Sequence, residues 1–139
     1  MLKYLMLAAG LLAVSASGVF AQDEDALRQA PPGEPYAKVS DIVALPEFIP
    51  GLGTLYVDPD TLPAGPFLAY DREGKLSATV YMTPLEELEA GNAYEQLPVG
   101  AHNVASVDVY YNAGHPGVEK PHTHVVLFHD DGARERLAE

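Results

Sequence analysis

Apolar positions fall in two regimes along the chain. Leu5 to Phe20 form one uncharged, mostly apolar run behind Lys3, closing on Val19-Phe20-Ala21 before the acidic stretch QDEDA. A basic start, an apolar centre and a small-residue cleavage pattern are the three parts of a secretory signal. Residues 1–21 are therefore read as a signal peptide cut after Ala21, and the chain as periplasmic or secreted. The run is shorter than the roughly 20 apolar residues that span a bilayer, so no membrane insertion is expected after cleavage.

Further on, apolar residues come in short β-branched and aromatic groups separated by turn residues. GTLYVD (Gly53 to Asp58), FLAYD (Phe67 to Asp71), LSATVYM (Leu76 to Met82), NVASVDVYYN (Asn103 to Asn112) and PHTHVVLFH (Pro121 to His129) each read as a strand. The second and third are joined by REGK as a hairpin, with Gly74 in its turn. The last two are also expected to pair. Thr83 as N-cap, Pro84 at the first position and Glu86 two residues later predict a capped helix over LEELEA, ended by Gly91. A short helical turn capped by Ser40 is expected over Ser40 to Leu45, and a short helix or frayed tail after Asp131. Prolines 31, 32 and 35 make residues 22 to about 38 a disordered or loosely docked arm. The expected organisation is a signal peptide (1–21), an acidic proline-rich arm with a short helix (22–45), and one β-rich domain (46–139). Its class is α+β: a small, mostly antiparallel sheet of about five strands with short helices.

Charge narrows the partners. Eight Lys and Arg stand against 20 Asp and Glu, a formal net charge of −12, and cleavage after Ala21 would remove Lys3 as well. Such a surface repels phosphate backbones and anionic headgroups, which disfavours nucleic acid and membrane partners. With no cysteine, so small an exported domain has neither a disulfide nor a lipid anchor to draw on. Added stability is expected from packing, a metal or a homo-oligomer.

Four of the five histidines fall within His115–His129. Residues i and i+2 of a strand share a face, so His122 and His124 stand together and His129 lies on the other side. The turn from Ala113 to Lys120 can bring His115 and Glu119 back toward them. His115, Glu119, His122 and His124 are thus the candidate ligands for a divalent transition metal, Zn, Cu, Ni or Fe, with open geometry since thiolates are absent. Two other readings stand beside this one: structural hydrogen bonding to carbonyls or to Tyr110 or Tyr111, and metal-free acid–base chemistry. Two registers of the last hairpin are open. One sets Val109 and Tyr111 opposite His124 and His122; the other brings Asp108 and Tyr110 alongside.

Other chemistry is poorly represented. No Gly-x-Ser-x-Gly elbow surrounds Ser40, Ser77 or Ser106, PGLG precedes a strand and not a helix, and Asp58/Asp60 read as a solvated turn. His-x-His resembles half of a cupin motif, but no glutamate follows it and too few residues remain for the second half. The segments IPGLGTLYVDPDTLPAGPFLAYDREGKLSATVYM and VDVYYNAGHPGVEKPHTHVVLFH resemble an uncharacterised exported bacterial family, a domain of unknown function with Thermus relatives linked to envelope-stress sigma-factor operons. That resemblance covers about Pro46 to Leu137. It implies a small β-rich domain assembling into a ring-like homo-oligomer without an assigned reaction, and it offers no catalytic residues to carry over. The leading expectation is therefore a non-enzymatic exported binding or assembly protein of the cell envelope. The alternative is a metalloprotein built on the 115–124 segment.

Overall fold

A computed structural model of the chain describes residues 23–139; the expected signal peptide lies outside them. The elements in chain order are α1 (Glu24–Leu27), β1 (Ala37–Lys38), α2 (Val39–Ile42), β2 (Thr54–Val57), a 3-10 turn (Pro59–Thr61), β3 (Phe67–Tyr70), β4 (Leu76–Pro84), α3 (Leu85–Glu89), β5 (Ser106–Asn112), β6 (His122–Phe128) and α4 (Ala133–Ala138). The strands form one antiparallel sheet in the order β1-β2-β3-β4-β6-β5. The α+β class holds, and the sixth strand is the two-residue β1. No helix among the described residues is long and apolar enough to cross a membrane.

Over β2 to β4, both faces of the sheet are covered. On one, Leu55, Val57, Phe67, Ala69, Ala78, Val80, Val126 and Phe128 form the main core with Val39 of α2 and Ala133 and Leu137 of α4. On the other, Tyr56, Leu68, Tyr70 and Leu76 pack against Leu27 of α1, with Ala30, Tyr36 and Ala101 at the margin. A bulge between Ala69 and Tyr70 lets Leu76 join the second face while Ala78 serves the first. Arg136 fastens α4 from the side, donating to Asp71 at 2.9 Å and to both oxygens of Asp130 at 2.7 and 2.9 Å.

Three local expectations are corrected. The acidic arm docks: Leu27 is buried, the Tyr70 hydroxyl donates to its carbonyl at 2.7 Å, and β1 pairs with Tyr56 and Val57. Arm residues Leu27 and Tyr36 supply the apolar cover that the tyrosine face of the sheet requires. Second, α2 begins one residue before Ser40, and no side chain caps it. Third, Thr83 is not a helix cap. It and Pro84 still belong to β4, opposite Thr123 and His122, and the Thr83 hydroxyl bonds that of Thr123. Continued pairing with β6 outcompetes the capping box, so α3 starts at Leu85 with no side-chain cap. Gly91 ends it as expected, at φ 89°.

Candidate metal centre

The site begins with the alternation of β6. His122, His124, Val126 and Phe128 point to the main core and are buried, while Thr123, Val125 and Leu127 are half-buried on the opposite face. His124 sits between Met82 of β4 and Tyr110 of β5, and His122 between Pro84 and Asn112. Of the two registers open in the sequence, the structure takes the one that brings Tyr110 and Asp108 alongside. Asp108 is opposite Val126 and is held by Arg134 at 2.5 and 2.6 Å. Tyr110, not a carboxylate, therefore reaches the histidines: its hydroxyl lies 3.1 Å from His124 Nδ1.

His115 arrives from the turn. His115 and Val118 exchange both main-chain hydrogen bonds at 3.0 Å, and this tight bridge buries Val118 in the main core. Two glycines permit the path. At Gly114, φ is 135° and a Cβ would stand 2.3 Å from the Glu119 carbonyl oxygen; at Gly117, φ is 91° and a Cβ would stand 2.8 Å from Val43 Cγ1. With Val118 turned inward, the next residue turns out. Glu119 is exposed and lines a separate surface hollow with Glu86 and Lys120. The turn thus delivers His115 but not Glu119, and the cluster among the described residues that could hold a metal ion is His115, His122 and His124.

Three Nε2 atoms form a small triangle: 2.9 Å between His122 and His124, 3.1 Å between His115 and His122, and 3.3 Å between His115 and His124. The outer nitrogens explain the orientation. His122 Nδ1–H donates to the Lys120 carbonyl at 2.7 Å and His115 Nδ1–H to the Pro116 carbonyl at 3.0 Å. A carbonyl oxygen only accepts, so each of these rings carries its proton outward and presents a bare lone pair inward. Two acceptors 3.1 Å apart repel unless a positive centre lies between them. Burial first, and the neighbouring His122 and His115 rings second, push the His124 pKa down to about 4, so this ring is neutral near pH 7 and supplies no imidazolium charge; its single proton sits on Nε2 or on Nδ1.

A metal ion fits better. With Zn–N bonds of about 2.0–2.1 Å, nitrogens on a tetrahedral ion stand about 3.3 Å apart, close to the three sides observed. His115, His122 and His124 would be the three protein ligands of such an ion, which would leave it a fourth, exchangeable position and Lewis-acid chemistry there. Outward Nδ1–H groups held by carbonyls or hydroxyls are the usual support of metal-bound imidazole, fixing the tautomer and raising ligand basicity. The three histidines can therefore hold a metal ion, and the donor set is borderline-soft nitrogen without thiolate.

Sequence reasoning found the histidines and named Tyr110 among their neighbours. It missed the apolar cover of the site, contributed by Val39, Leu45, Ile49 and Leu52. The signal was present in the apolar residues of VSDIVALPEFIPGLG, but its prolines make that segment read as a broken connection.

The chain is similar to a solved structure, that of the hypothetical protein TTHB210 from Thermus thermophilus, with 45% identity, a TM-score of 0.60, and coverage of 68% of this chain and 94% of that one. No protein-family model matches the chain, and no curated protein matches it. The Thermus relationship drawn from the strand and histidine segments is supported by that similarity.

Proposed function

Because this chain belongs to one family with the Thermus hypothetical protein, a kinship that brings no reaction with it, we propose a function from the site itself: the protein binds a divalent transition metal through His115, His122 and His124. Zinc is the first choice, since three neutral imidazoles at tetrahedral spacing match its preferred donors; Cu, Ni and Fe share the donor type. The single observation that carries this reading is the convergence of three Nε2 atoms within 2.9 to 3.3 Å of one another, with Nδ1 of two rings committed to carbonyls. The acidic chain, at −12, favours a cation at this site. An open coordination position suits a metal carrier or a metal-dependent enzyme, and no side chain beside the triangle singles out one reaction. Export to the periplasm or medium and a part in envelope stress belong to the same proposal. Zinc titration by calorimetry tests it. The parent should bind one ion per chain, and a His122→Ala, His124→Ala double variant should bind none there; equal binding by both would end the reading.

A second reading, self-association, rests on β5. This edge strand leaves Val107, Val109 and Tyr111 at 50%, 66% and 62% exposure on one face, and no strand among the described residues pairs with its outer side. A long, apolar edge is an open template for another chain. Light scattering on eluted protein separates the outcomes: an oligomer for the parent and a monomer for Val109→Lys support assembly through β5, and a parent that is monomeric at micromolar concentration opposes it.

A further inference from the structure

Next to the histidine triangle the main-core side of the sheet bears a partly open cavity of about 280 Å³. Aliphatic side chains form most of its wall, among them Val39, Leu45, Ile49 and Leu55, while Tyr110 and Asn112 flank the histidine end and His115 and His124 are part of the lining. Building on the metal reading above, we propose that this cavity receives a small aliphatic monocarboxylate, one carboxylate oxygen taking the metal's open position and the hydrocarbon body lying along the apolar wall.

Three features select that class. The polar groups are gathered at one end, so the ligand has one polar head and an apolar remainder. Those groups are donors once their own bonds are counted. Tyr110 accepts from His124 Nδ1–H when Nε2 faces the metal, leaving its O–H to donate; Asn112 Oδ1 accepts from the Gly114 amide at 2.9 Å, leaving Nδ2 as its donor. A head with a second acceptor oxygen beside the metal-bound one satisfies them, and the dication balances its charge. Size supplies the third constraint. At about 30 Å³ for a water-sized group, the cavity holds roughly nine such groups, and it lies just below the range of roughly 300–1,000 Å³ that takes drug-sized ligands. A body of a few methylenes fits inside, and the rest of a long acyl chain would extend into solvent.

Cobalt(II) tests the proposal, since its visible bands report the coordination shell. Bound cobalt per chain is measured first, and the loaded protein is then titrated with acetate, butyrate, hexanoate and dodecanoate. The expected result is one cobalt per chain and a band shift whose affinity rises about fourfold per methylene as far as hexanoate, then levels off for dodecanoate. An Ile49→Phe variant, which narrows the cavity, should keep its cobalt and its acetate affinity while losing at least tenfold for hexanoate. Cobalt that binds but whose bands ignore every carboxylate, or respond equally to acetate and hexanoate, overturns the carboxylate proposal and leaves the metal site standing. Failure to bind cobalt or zinc overturns both. Equal losses of acetate and hexanoate in Ile49→Phe would also count against it, since the wall would then not be reading the tail.

Discussion

Tyr110 tests how the site is supported at the scale of single residues. Its hydroxyl meets His124 Nδ1, its ring packs on the imidazole at a centroid distance of 5.0 Å, and burial raises its pKa, so it stays a neutral partner. Tyr110→Phe keeps the ring and removes the oxygen. Loss of such an outer partner weakens metal binding by about 10- to 100-fold. Zinc competition against a chromophoric chelator should show that loss with little change in melting temperature. His129 makes a contrasting case on the other face. The Gly100 amide donates to Thr79 Oγ1 at 2.9 Å, so the Thr79 hydroxyl proton is free to donate to His129 Nε2 at 2.7 Å, and His129 Nδ1–H donates to the Asn103 carbonyl at 2.7 Å. The network is complete with a neutral ring. Burial lowers the His129 pKa more than the Asn103 carbonyl and Asp130 raise it. The unfolded chain therefore takes up this proton first as pH falls: the stabilising contribution is whole above the ordinary histidine value of about 6.5 and is lost on acidification below it. His129→Gln should flatten the dependence of unfolding free energy on pH between about 6.5 and 5 by at most ~1.4 kcal/mol per pH unit, measured by denaturant titration; an unchanged slope would contradict this. At this scale the sequence was readable where periodicity alone decides, as for His122 and His124. It was unreadable at Glu119, whose direction depends on the His115–Val118 bridge and on the burial of Val118, a tertiary event.

Among the elements, the β5–β6 hairpin and its turn decide whether there is a site at all. Gly114→Ala would press a methyl group onto the Glu119 carbonyl, at 2.3 Å in the unrelaxed backbone, and hold a non-glycine residue at φ 135°. Strain of this kind costs about 1–3 kcal/mol, and the turn can relieve it by swinging His115 away. The expected outcome is a lower melting temperature together with weaker zinc binding, and a variant with parental zinc affinity would show that His115 is not a ligand. Strand positions and the hairpin at Gly74 could be read from alternation and turn chemistry. The start of α3 could not, because a local capping motif and a nonlocal strand partner competed for Thr83 and pairing with Thr123 prevailed. The two-residue β1 was beyond reach for a related reason: Ala37 and Lys38 are strand only because Val57 and Tyr56 lie beside them.

For the whole molecule, the arrangement is one thin sheet whose β2–β4 part is covered on both faces by short segments, with no disulfide to hold them. Arg136 bears much of that task for α4. Removing it leaves Asp71, whose side chain is only 3% exposed, without its cation. Arg136→Ala is expected to cost about 3 kcal/mol, measurable by chemical denaturation. A bound metal would add a second clasp, tying the 113–121 turn to β6. Zinc at a hundred times its dissociation constant should contribute about 2.7 kcal/mol, a rise of about 10 °C in melting temperature for a domain of this size, reversed by a chelator. The account's central claim is most directly tested by X-ray absorption on the zinc-loaded protein. It predicts three imidazole nitrogens at about 2.0–2.1 Å plus one lighter exchangeable ligand, and loss of the imidazole signature in the His122→Ala, His124→Ala variant. A shell dominated by carboxylate oxygens, or an imidazole signature that survives the double substitution, would contradict it.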